Sequence, residues 1–248
     1  IRSGVEDKSQ ADGGWDGPSY FTSRVVTISG VVTQPTHAAA QDVADQLRAL
    51  SIRQLHEVLV DNDALGERSC LARLEVGADP EWVTPKFFRY TLQFRAPDPL
   101  LYGPLEFAQV GLSSSGGGTG LVYPLTYPLD YVLAPGTTPG QVQVANAGTA
   151  SYFPRLRIDG PVTNPVVTLS ETGDRLQFNF TVAAGQWLDI DCARRRVLLN
   201  GSVSMRHKVS FVGAWLAVPV GGASIVWTAD TADPASVLSV WSYESAWS

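Results

Sequence analysis

Short runs of alternating apolar and polar residues dominate the second half of the chain. Between Ala145 and Asn200 they are cut about every ten residues by turn residues, such as Asn164-Pro165 and Asn200-Gly201. Alternation with period two turns one face of each strand inward, and turns at this spacing reverse the chain. The pattern predicts an antiparallel β-sandwich, with a type I′ hairpin at Asn200-Gly201, where both residues must take positive φ.

The same pattern continues towards the C-terminus. The strands predicted in this half of the chain cover residues 141–144, 153–158, 166–170, 176–182, 187–191, 196–199, 210–211, 215–218, 224–228 and 238–242. Two packed antiparallel sheets accommodate this number of short strands.

The first half contains the one convincing helical pattern. Apolar residues recur there at spacings of three and four, namely Ala40, Val43, Ala44, Leu47 and Leu50. Thr36 stands ahead of them as an N-cap. We predict an amphipathic helix over residues 38–50, a strand or a bent pair of strands at 20–32, and strands at 55–60, 68–76 and 87–96, with turns at 61–63, Gly66 and 77–80. Strands around one helix predict a compact α+β module ending near residue 104.

The predicted fold is therefore mainly β, with a division in three parts. Residues 1–104 form an N-terminal β-rich domain with one helix, 105–120 a linker or a first strand, and 121–248 the C-terminal sandwich. The boundary is predicted from the Gly- and Ser-rich tract at 112–120, which has too few apolar side chains to bury. The alternative is a single domain in which this tract is a long surface loop.

Composition excludes several classes of protein. Of 248 residues, 44% are hydrophobic and 17% charged, which is typical of folded chains, and the net charge of −6 argues against a nucleic-acid-binding surface. The basic run 194–196 is short, and we interpret it as a solvated turn or an intersubunit contact, with anion binding as the alternative. No apolar run is long enough to span a membrane, and no signal peptide is visible. Because the chain begins with Ile1, we expect residues to precede it.

The motifs of common enzymes and metal sites are missing from the sequence. His37, His56 and His207 do not have the spacing of a zinc site, and no nucleophile elbow or phosphate loop occurs. Asp189 and Asp191 share one face of a strand, but we interpret them as structural. The other aspartates considered are turn residues, namely Asp130, Asp159 and Asp174. Two cysteines, Cys70 and Cys192, are predicted to be free and buried, as in a reducing cytoplasm. The sequence thus predicts no enzyme, no catalytic residue, no cofactor and no metal.

The order of motifs between residues 145 and 200 resembles the C-terminal domain of siphovirus distal tail proteins, the Dit-type components of long non-contractile phage tails. The motifs that carry the resemblance are the small-residue turn 146–150, the strand 152–158, the corner at Gly160 and Asn164-Pro165, the element Gly185, Leu188, Ile190, Asp191, the basic run and the Asn200-Gly201 hairpin. The N-terminal half matches more loosely, at 15–18, 24–30 and 98–103.

This resemblance implies a structural virion protein with a galectin-like or carbohydrate-binding-module-like sandwich. Its N-terminal domain would form a homohexameric ring at the tail tip, with the tail tube protein on one side and the tail hub or baseplate on the other. The tape-measure protein is a further partner, and DNA passes the channel without specific binding during genome ejection. The implied location is the virion, after assembly in the host cytoplasm.

Two other functions remain open at this stage. A carbohydrate-binding module for host attachment would stack a surface glycan on exposed aromatic rings, and the candidates are Trp187, Trp215, Trp227, Trp241 and Trp247. A hydrolase of glycans or peptides would need an acid, base or nucleophile set that the sequence does not display.

Overall fold

The computed structural model describes residues 2–50, 54–60, 66–77, 79–115 and 136–248. The chain divides into two compact units, residues 1–101 with Ser248, and residues 102–247. The division lies close to the end predicted for the first module at residue 104. The glycines at 116–118, the turn at 61–63 and Asp130 lie outside the described residues.

The N-terminal unit contains the chain's single α-helix, within the described residues, and most of its strands form one antiparallel sheet. Its elements are β1 (Arg2–Asp7), β2 (Gly14–Tyr20), β3 (Arg24–Thr33), α1 (His37–Arg48), β4 (Leu55–Val60), β5 (Arg68–Val76), β6 (Glu81–Thr84) and β7 (Phe87–Ala96). β7 pairs with β3 on one side and with β5 and β6 on the other, and β4 pairs with β5. The first two strands form a separate hairpin.

The helix begins and packs as its sequence predicts. The Thr36 hydroxyl accepts a hydrogen bond from the Ala39 amide at 3.2 Å, which satisfies one of the free amides of the first turn. The small side chains of Ala40 and Ala44 are fully buried against Phe88 of β7. The predicted strands at 55–60, 68–76 and 87–96 coincide with β4, β5 and β7. One face of the sheet is therefore covered by the helix.

The C-terminal unit is built of short antiparallel strands. The strand β8 (Leu101–Tyr102) spans the division between the units. The strands that follow are β9 (Leu105–Gly111), β10 (Ser113–Ser115), β11 (Gly136–Thr138), β12 (Gly140–Val144), β13 (Arg155–Asp159), β14 (Val162–Thr163), β15 (Val166–Leu169), β16 (Arg175–Phe178), β17 (Thr181–Val182), β18 (Trp187–Asp191), β19 (Arg196–Leu199), β20 (Val203–Ser204), β21 (Val209–Val212), β22 (Ala223–Thr228), β23 (Thr231–Ala232), β24 (Val237–Tyr243) and β25 (Ala246–Trp247). A 3-10 helix, Arg206–Lys208, lies between β20 and β21.

Two of the sheets bury one common cluster of side chains. A five-stranded sheet has the order β12-β22-β15-β16-β21, and a six-stranded sheet the order β20-β19-β18-β13-β24-β9. Alternate residues of both point into the cluster, for example Ile225 and Trp227 from one sheet and Ile158 and Ile190 from the other. Period-two alternation, visible in the sequence, thus decides which residues are buried.

The C-terminal unit begins earlier than the boundary predicted at residue 121. β9 pairs along its whole length with β24, from Leu105 opposite Tyr243 to Gly111 opposite Val237. Of the two predicted alternatives for this segment, a linker or a first strand, residues 105–111 form a strand. They fold with the second unit because their backbone forms a hydrogen-bonded ladder with β24.

The turn at Asn200-Gly201 has the geometry that its sequence predicts. Asn200 has φ 52° and Gly201 φ 70°, and the Ser202 amide donates to the Leu199 carbonyl at 3.2 Å. The Asn200 side chain also accepts a hydrogen bond from the Trp187 amide at 3.0 Å. The turn therefore reverses β19 into β20 and is tied to the neighbouring strand.

Two strand predictions in this half are wrong. Residues 215–218 do not form a strand, because Gly213 turns the chain at φ 78° and only Val218 bridges to Tyr152. Residues 176–182 form two short strands instead of one. β16 belongs to the five-stranded sheet, whereas β17 pairs with β14 in a three-stranded sheet, so the chain changes sheets between them.

Asn146 is the centre of the small-residue turn. Its side chain is 2% exposed, its amide group donates to the carbonyls of Ala150, Val218 and Pro219, and its oxygen accepts from the amides of Gly148 and Ala246. A buried polar group is stable only when it is hydrogen-bonded, and this one is fully satisfied. At Gly148 any Cβ would collide with the Ala246 carbonyl, so the turn requires glycine there.

Candidate assembly surfaces

The structure brings no metal site together in the part of the chain that it describes. No group of three or more His, Cys, Asp or Glu side chains is close enough to hold an ion there. The His37 ring donates to the Pro85 carbonyl at 2.6 Å and packs edge-on against Trp82. His56 packs edge-on against Phe94, and His207 is exposed in the 3-10 helix. Each histidine therefore has a local environment of its own.

Asp189 and Asp191 form ion pairs on the outer face of the six-stranded sheet. Arg155 makes two hydrogen bonds to Asp189, at 3.0 and 2.7 Å, and Arg194 contacts Asp191 at 3.2 Å. The hydrogen bonds to Asp189 raise the pKa of Arg155 further. Arg157 pairs in the same two-pronged manner with Asp159 of its own strand. The charges on this face thus neutralise one another.

Asp174 has a turn role. Its carboxylate accepts hydrogen bonds from the Thr172 hydroxyl at 2.6 Å and from the Ala214 amide at 2.7 Å. These contacts tie the turn before β16 to the chain that follows β21.

The five tryptophans proposed as sugar platforms have different environments. Trp227 is fully buried and Trp215 is 8% exposed, so both belong to the core. The Trp227 indole occupies the space where a Cβ of residue 140 would lie, which explains Gly140. Trp187 is half-buried beneath the Arg157 guanidinium, 4.7 Å from its ring, and Trp241 packs against Phe107 with ring centroids 5.1 Å apart. Trp247 is also half-buried.

The two cysteines are buried, as predicted, with no disulfide. Cys192 is completely buried and Cys70 is 3% exposed. Burial raises the pKa of the Cys192 thiol strongly and that of the Cys70 thiol less, because a thiolate loses its hydration there. Neither cysteine is an activated nucleophile.

The N-terminal unit exposes an unusual amount of apolar surface. The exposed fractions are 68% for Trp15, 57% for Tyr20 and for Phe21, 61% for Val31 and 58% for Leu71. Val25 and Val31 lie on the face of β3 opposite to Val26 and Val32, which pack against the clusters beneath the helix. Sequence reasoning missed this surface, although β-branched residues at consecutive positions of 25–32 already show that both faces of this strand are apolar.

β3 is also an edge strand. It is ten residues long and, among the described strands, pairs only with β7. An edge strand presents a row of backbone amides and carbonyls that another chain can pair with. The exposed apolar side chains and this open edge make the N-terminal unit a candidate assembly surface.

The family of the C-terminal unit is shown by sequence. The model of the siphovirus-type tail component, C-terminal domain, matches residues 147–247. The match lies inside the C-terminal unit and confirms the resemblance to siphovirus distal tail proteins that the motifs of 145–200 predict. Asn146 directly precedes the matched range, and its bonds to Gly148 and Ala246 join the two ends of it. No curated protein matches the chain by sequence.

Solved structures extend the likeness to nearly the whole chain. The SPP1 Dit (gp 19.1) protein, described as a paradigm of hub adsorption apparatus in Gram-positive infecting phages, is similar with a TM-score of 0.60 and 15% identity, over 98% of this chain and 87% of that chain. A chain of the phage P2 baseplate in its activated conformation with Ca is similar with a TM-score of 0.50 and 11% identity, over 97% and 86%. The fold is therefore mainly β and Dit-like. Among the described residues, no helix has the length and apolarity needed to cross a membrane.

Proposed function

We propose that this chain is a structural subunit of the distal end of a long non-contractile phage tail. Six copies form a ring that joins the tail tube to the tail tip or baseplate and lets the genome pass during ejection. The N-terminal α+β unit forms the ring, and the C-terminal unit is a galectin-like sandwich.

The observation that carries this proposal is the agreement of two independent likenesses. The family match covers the C-terminal unit by sequence, and the fold similarity to SPP1 Dit covers both units. A protein that shares only a sandwich with tail components would resemble them over one unit. The similarity to a chain of a phage baseplate adds support for a location at the tail end.

The N-terminal unit has the properties that ring formation requires. A closed ring needs two different surfaces on each subunit that fit one another head to tail. The long open edge of β3 and the exposed side chains of Trp15, Tyr20 and Phe21 offer surface of this kind. Contiguous exposed apolar surface on a folded protein indicates an interaction site.

The remaining properties are consistent with a structural role. Burial raises the pKa values of Cys70 and Cys192, which opposes nucleophilic chemistry by these two thiols at neutral pH. The net charge of −6 favours passage of DNA without adhesion. The partners are then the tail tube protein, the tail hub protein and the tape-measure protein, in a virion assembled in the host cytoplasm.

The mass of the full-length protein in solution tests the proposal. Native mass spectrometry is expected to show a species of six times 26.6 kDa, and electron micrographs are expected to show rings. Monomers alone at high protein concentration, with no rings on grids, would overturn it. Antibodies against the chain should label one end of isolated tails.

A glycan-binding role in host attachment is the second candidate, and one observation favours it. The outer face of the six-stranded sheet combines the Phe107 and Trp241 rings with Arg155, which stands opposite Trp241 and is held by Asp189. Aromatic rings beside oriented polar groups can bind sugars. Binding of bacterial cell-wall glycans that is lost in Trp241→Ala but kept in Trp82→Ala, in the other unit, would support this role, and no binding by the native protein would exclude it.

A further inference from the structure

The two lateral edges of the C-terminal unit carry opposite charge. At one edge, where β19, β20 and β21 lie, residues 194–196 and Arg206–Lys208 come together, and we name this the basic side. At the other edge, formed by β9, the charged residues are Glu106 and Glu244, and we name this the acidic side. The two edges are the opposite ends of the six-stranded sheet.

The basic side is assembled from two segments that are separate in sequence. The Met205 amide donates to the Val197 carbonyl at 3.0 Å, so the chain after β20 follows the edge of β19. The 3-10 helix Arg206–Lys208 then lies beside the turn between β18 and β19, and Arg206 donates to the Arg195 carbonyl at 3.2 Å. Five Lys and Arg residues are gathered there, namely Arg194, Arg195, Arg196, Arg206 and Lys208.

Most of these cations form no ion pair with the described carboxylates. The Arg206 guanidinium stacks on the rings of Trp215 and Phe211, at 4.9 and 5.4 Å. Arg194 alone pairs with a carboxylate, that of Asp191, among the ion pairs formed by described residues. On the outer face of the same sheet, in contrast, Arg155 and Arg157 each have a paired aspartate. The basic side therefore has charge available for a partner.

Apolar side chains accompany the charges on both sides. On the basic side, Val203 is 56% and Val212 53% exposed, and on the acidic side Leu105 is 62% and Phe107 55% exposed. β9 pairs only with β24 among the described strands. Residues 102–115, 136–148 and 237–247 contain no Lys or Arg, so Glu106 and Glu244 have no cation in the segments around them.

We infer that neighbouring copies of this chain contact each other head to tail through their C-terminal units, with the basic side of one copy against the acidic side of the next. Two opposite edges of one sheet cannot meet within a copy, but they meet between copies related by rotation. Such a contact is heterologous, and it closes into a ring when the rotation between neighbouring copies completes a full turn. Charge complementarity selects a second copy as the occupant, because each side offers what the other lacks. The inference rests on the proposed ring and adds a second interface to it.

Cross-linking in the full chain tests this contact directly. Gln109→Cys places a thiol on the exposed face of β9, and Ser204→Cys places one on β20. With a short bismaleimide, the double variant is expected to give a covalent ladder up to the size of the ring on a denaturing gel. Each single variant is expected to give only the band of the uncross-linked chain. Gln109→Cys combined with Thr231→Cys, an exposed position of the three-stranded sheet, is the control and is expected to give no ladder. The native cysteines are too buried to react.

Charge reversal provides the second test. The triple variant Arg195→Glu, Arg196→Glu, Lys208→Glu makes both sides acidic, and Glu106→Lys with Glu244→Lys makes both basic. Each variant alone is expected to weaken the ring, seen as dissociation at a protein concentration at least tenfold higher than for the native chain. An equimolar mixture should restore it, because alternating copies again place opposite charges in contact.

The outcomes separate this inference from the proposed function. Rings without the covalent ladder, or rings that tolerate both charge reversals, overturn the C-terminal contact and leave the ring function standing. A ladder in a single-cysteine variant also overturns it, since it would show a symmetric contact. A native chain that stays monomeric overturns both.

Discussion

The two units of this chain differ in how much of their apolar surface they bury themselves. Among the described residues, the C-terminal unit has one cluster of twenty-five buried residues, whereas the N-terminal unit has two clusters, of seven and three. The large exposed residues Trp15, Tyr20 and Phe21 all lie in the N-terminal unit. The C-terminal unit thus has the larger core of its own, although both units leave apolar side chains exposed that an assembly would cover. We therefore expect two kinds of substitution: those that unfold a unit of the chain and those that dissociate the assembly of copies.

The largest effect on stability is expected from Asn146→Ala. It removes the buried hydrogen bonds of the Asn146 side chain to three carbonyls and leaves the amides of Gly148 and Ala246 without that acceptor, which should lower the free energy of unfolding of the C-terminal unit by about 3 kcal/mol. Urea denaturation followed by tryptophan fluorescence measures this, because five of the seven tryptophans lie in that unit. Asn179→Ala, at an exposed position, is the matched control and should cost less than about 0.5 kcal/mol. Equal losses for both would show that Asn146 does not hold the turn together.

A pair of valine substitutions separates folding from assembly. Val240→Ala, in the core of the C-terminal unit, is expected to lower stability by about 2 kcal/mol. Val31→Ala, at a residue 61% exposed on β3, should change stability by less than about 0.5 kcal/mol but weaken the ring. Urea denaturation and native mass spectrometry of both variants make the comparison. If Val31→Ala destabilised the monomer and left the ring intact, the exposed face of β3 would not be an assembly surface.

Gly201→Val should damage only the C-terminal unit. The residue has φ 70°, a conformation that a β-branched side chain adopts at a cost of about 1–2 kcal/mol. Thermal unfolding of the C-terminal unit is expected at a lower temperature, while rings still form. Gly77→Val is the control, since that glycine is exposed and a Cβ there meets no neighbour. Loss of the ring with an intact C-terminal unit would refute the division of roles between the units.

The smallest effect concerns alkaline pH. Burial raises the pKa of Tyr152 from 10.0 to about 12, and it raises that of Cys192 as well. In the unfolded chain the thiol ionises above about pH 8.5 and the phenol above about pH 10, whereas the folded chain keeps both protons. The free energy of unfolding is therefore unaffected by these two groups below about pH 8.5, and it falls as the pH rises above that value. Unfolding by urea between pH 8 and 11 should show the fall, which Tyr152→Phe should reduce above pH 10, and a flat profile would contradict it.

Much of the fold is predictable from local patterns. The helix has its cap at Thr36 because an N-cap needs only a hydroxyl three residues before a free amide, and the Asn200-Gly201 turn needs only two residues that tolerate positive φ. The strands at 187–191 and 196–199 coincide with β18 and β19, since alternation defines them within their own segment. Local patterns left two alternatives open where long-range pairing decides, as at β9, which pairs with a strand more than one hundred residues away.

The candidate surfaces were less accessible to sequence reasoning. The run 194–196 could be interpreted as a solvated turn from its sequence, but its proximity to Arg206–Lys208 depends on the course of the chain around the edge of β19. Likewise, four of the five tryptophans lie in strand-like alternation by sequence, and only packing separates the buried Trp227 from the half-buried Trp241.

The sequence by itself determined that the chain is mainly β, that a helix follows Thr36, and that its second half carries the motifs of a siphovirus tail component. These properties follow from periodicity, capping, turn residues and their order, all of which act over a few residues. Only the tertiary structure decided that β9 belongs to the second unit, that Asn146 ties the turn to the end of the chain, and that one lateral side of the C-terminal unit is basic. Each of these depends on contacts between segments far apart in the chain, and such contacts are fixed by the packing of the whole unit.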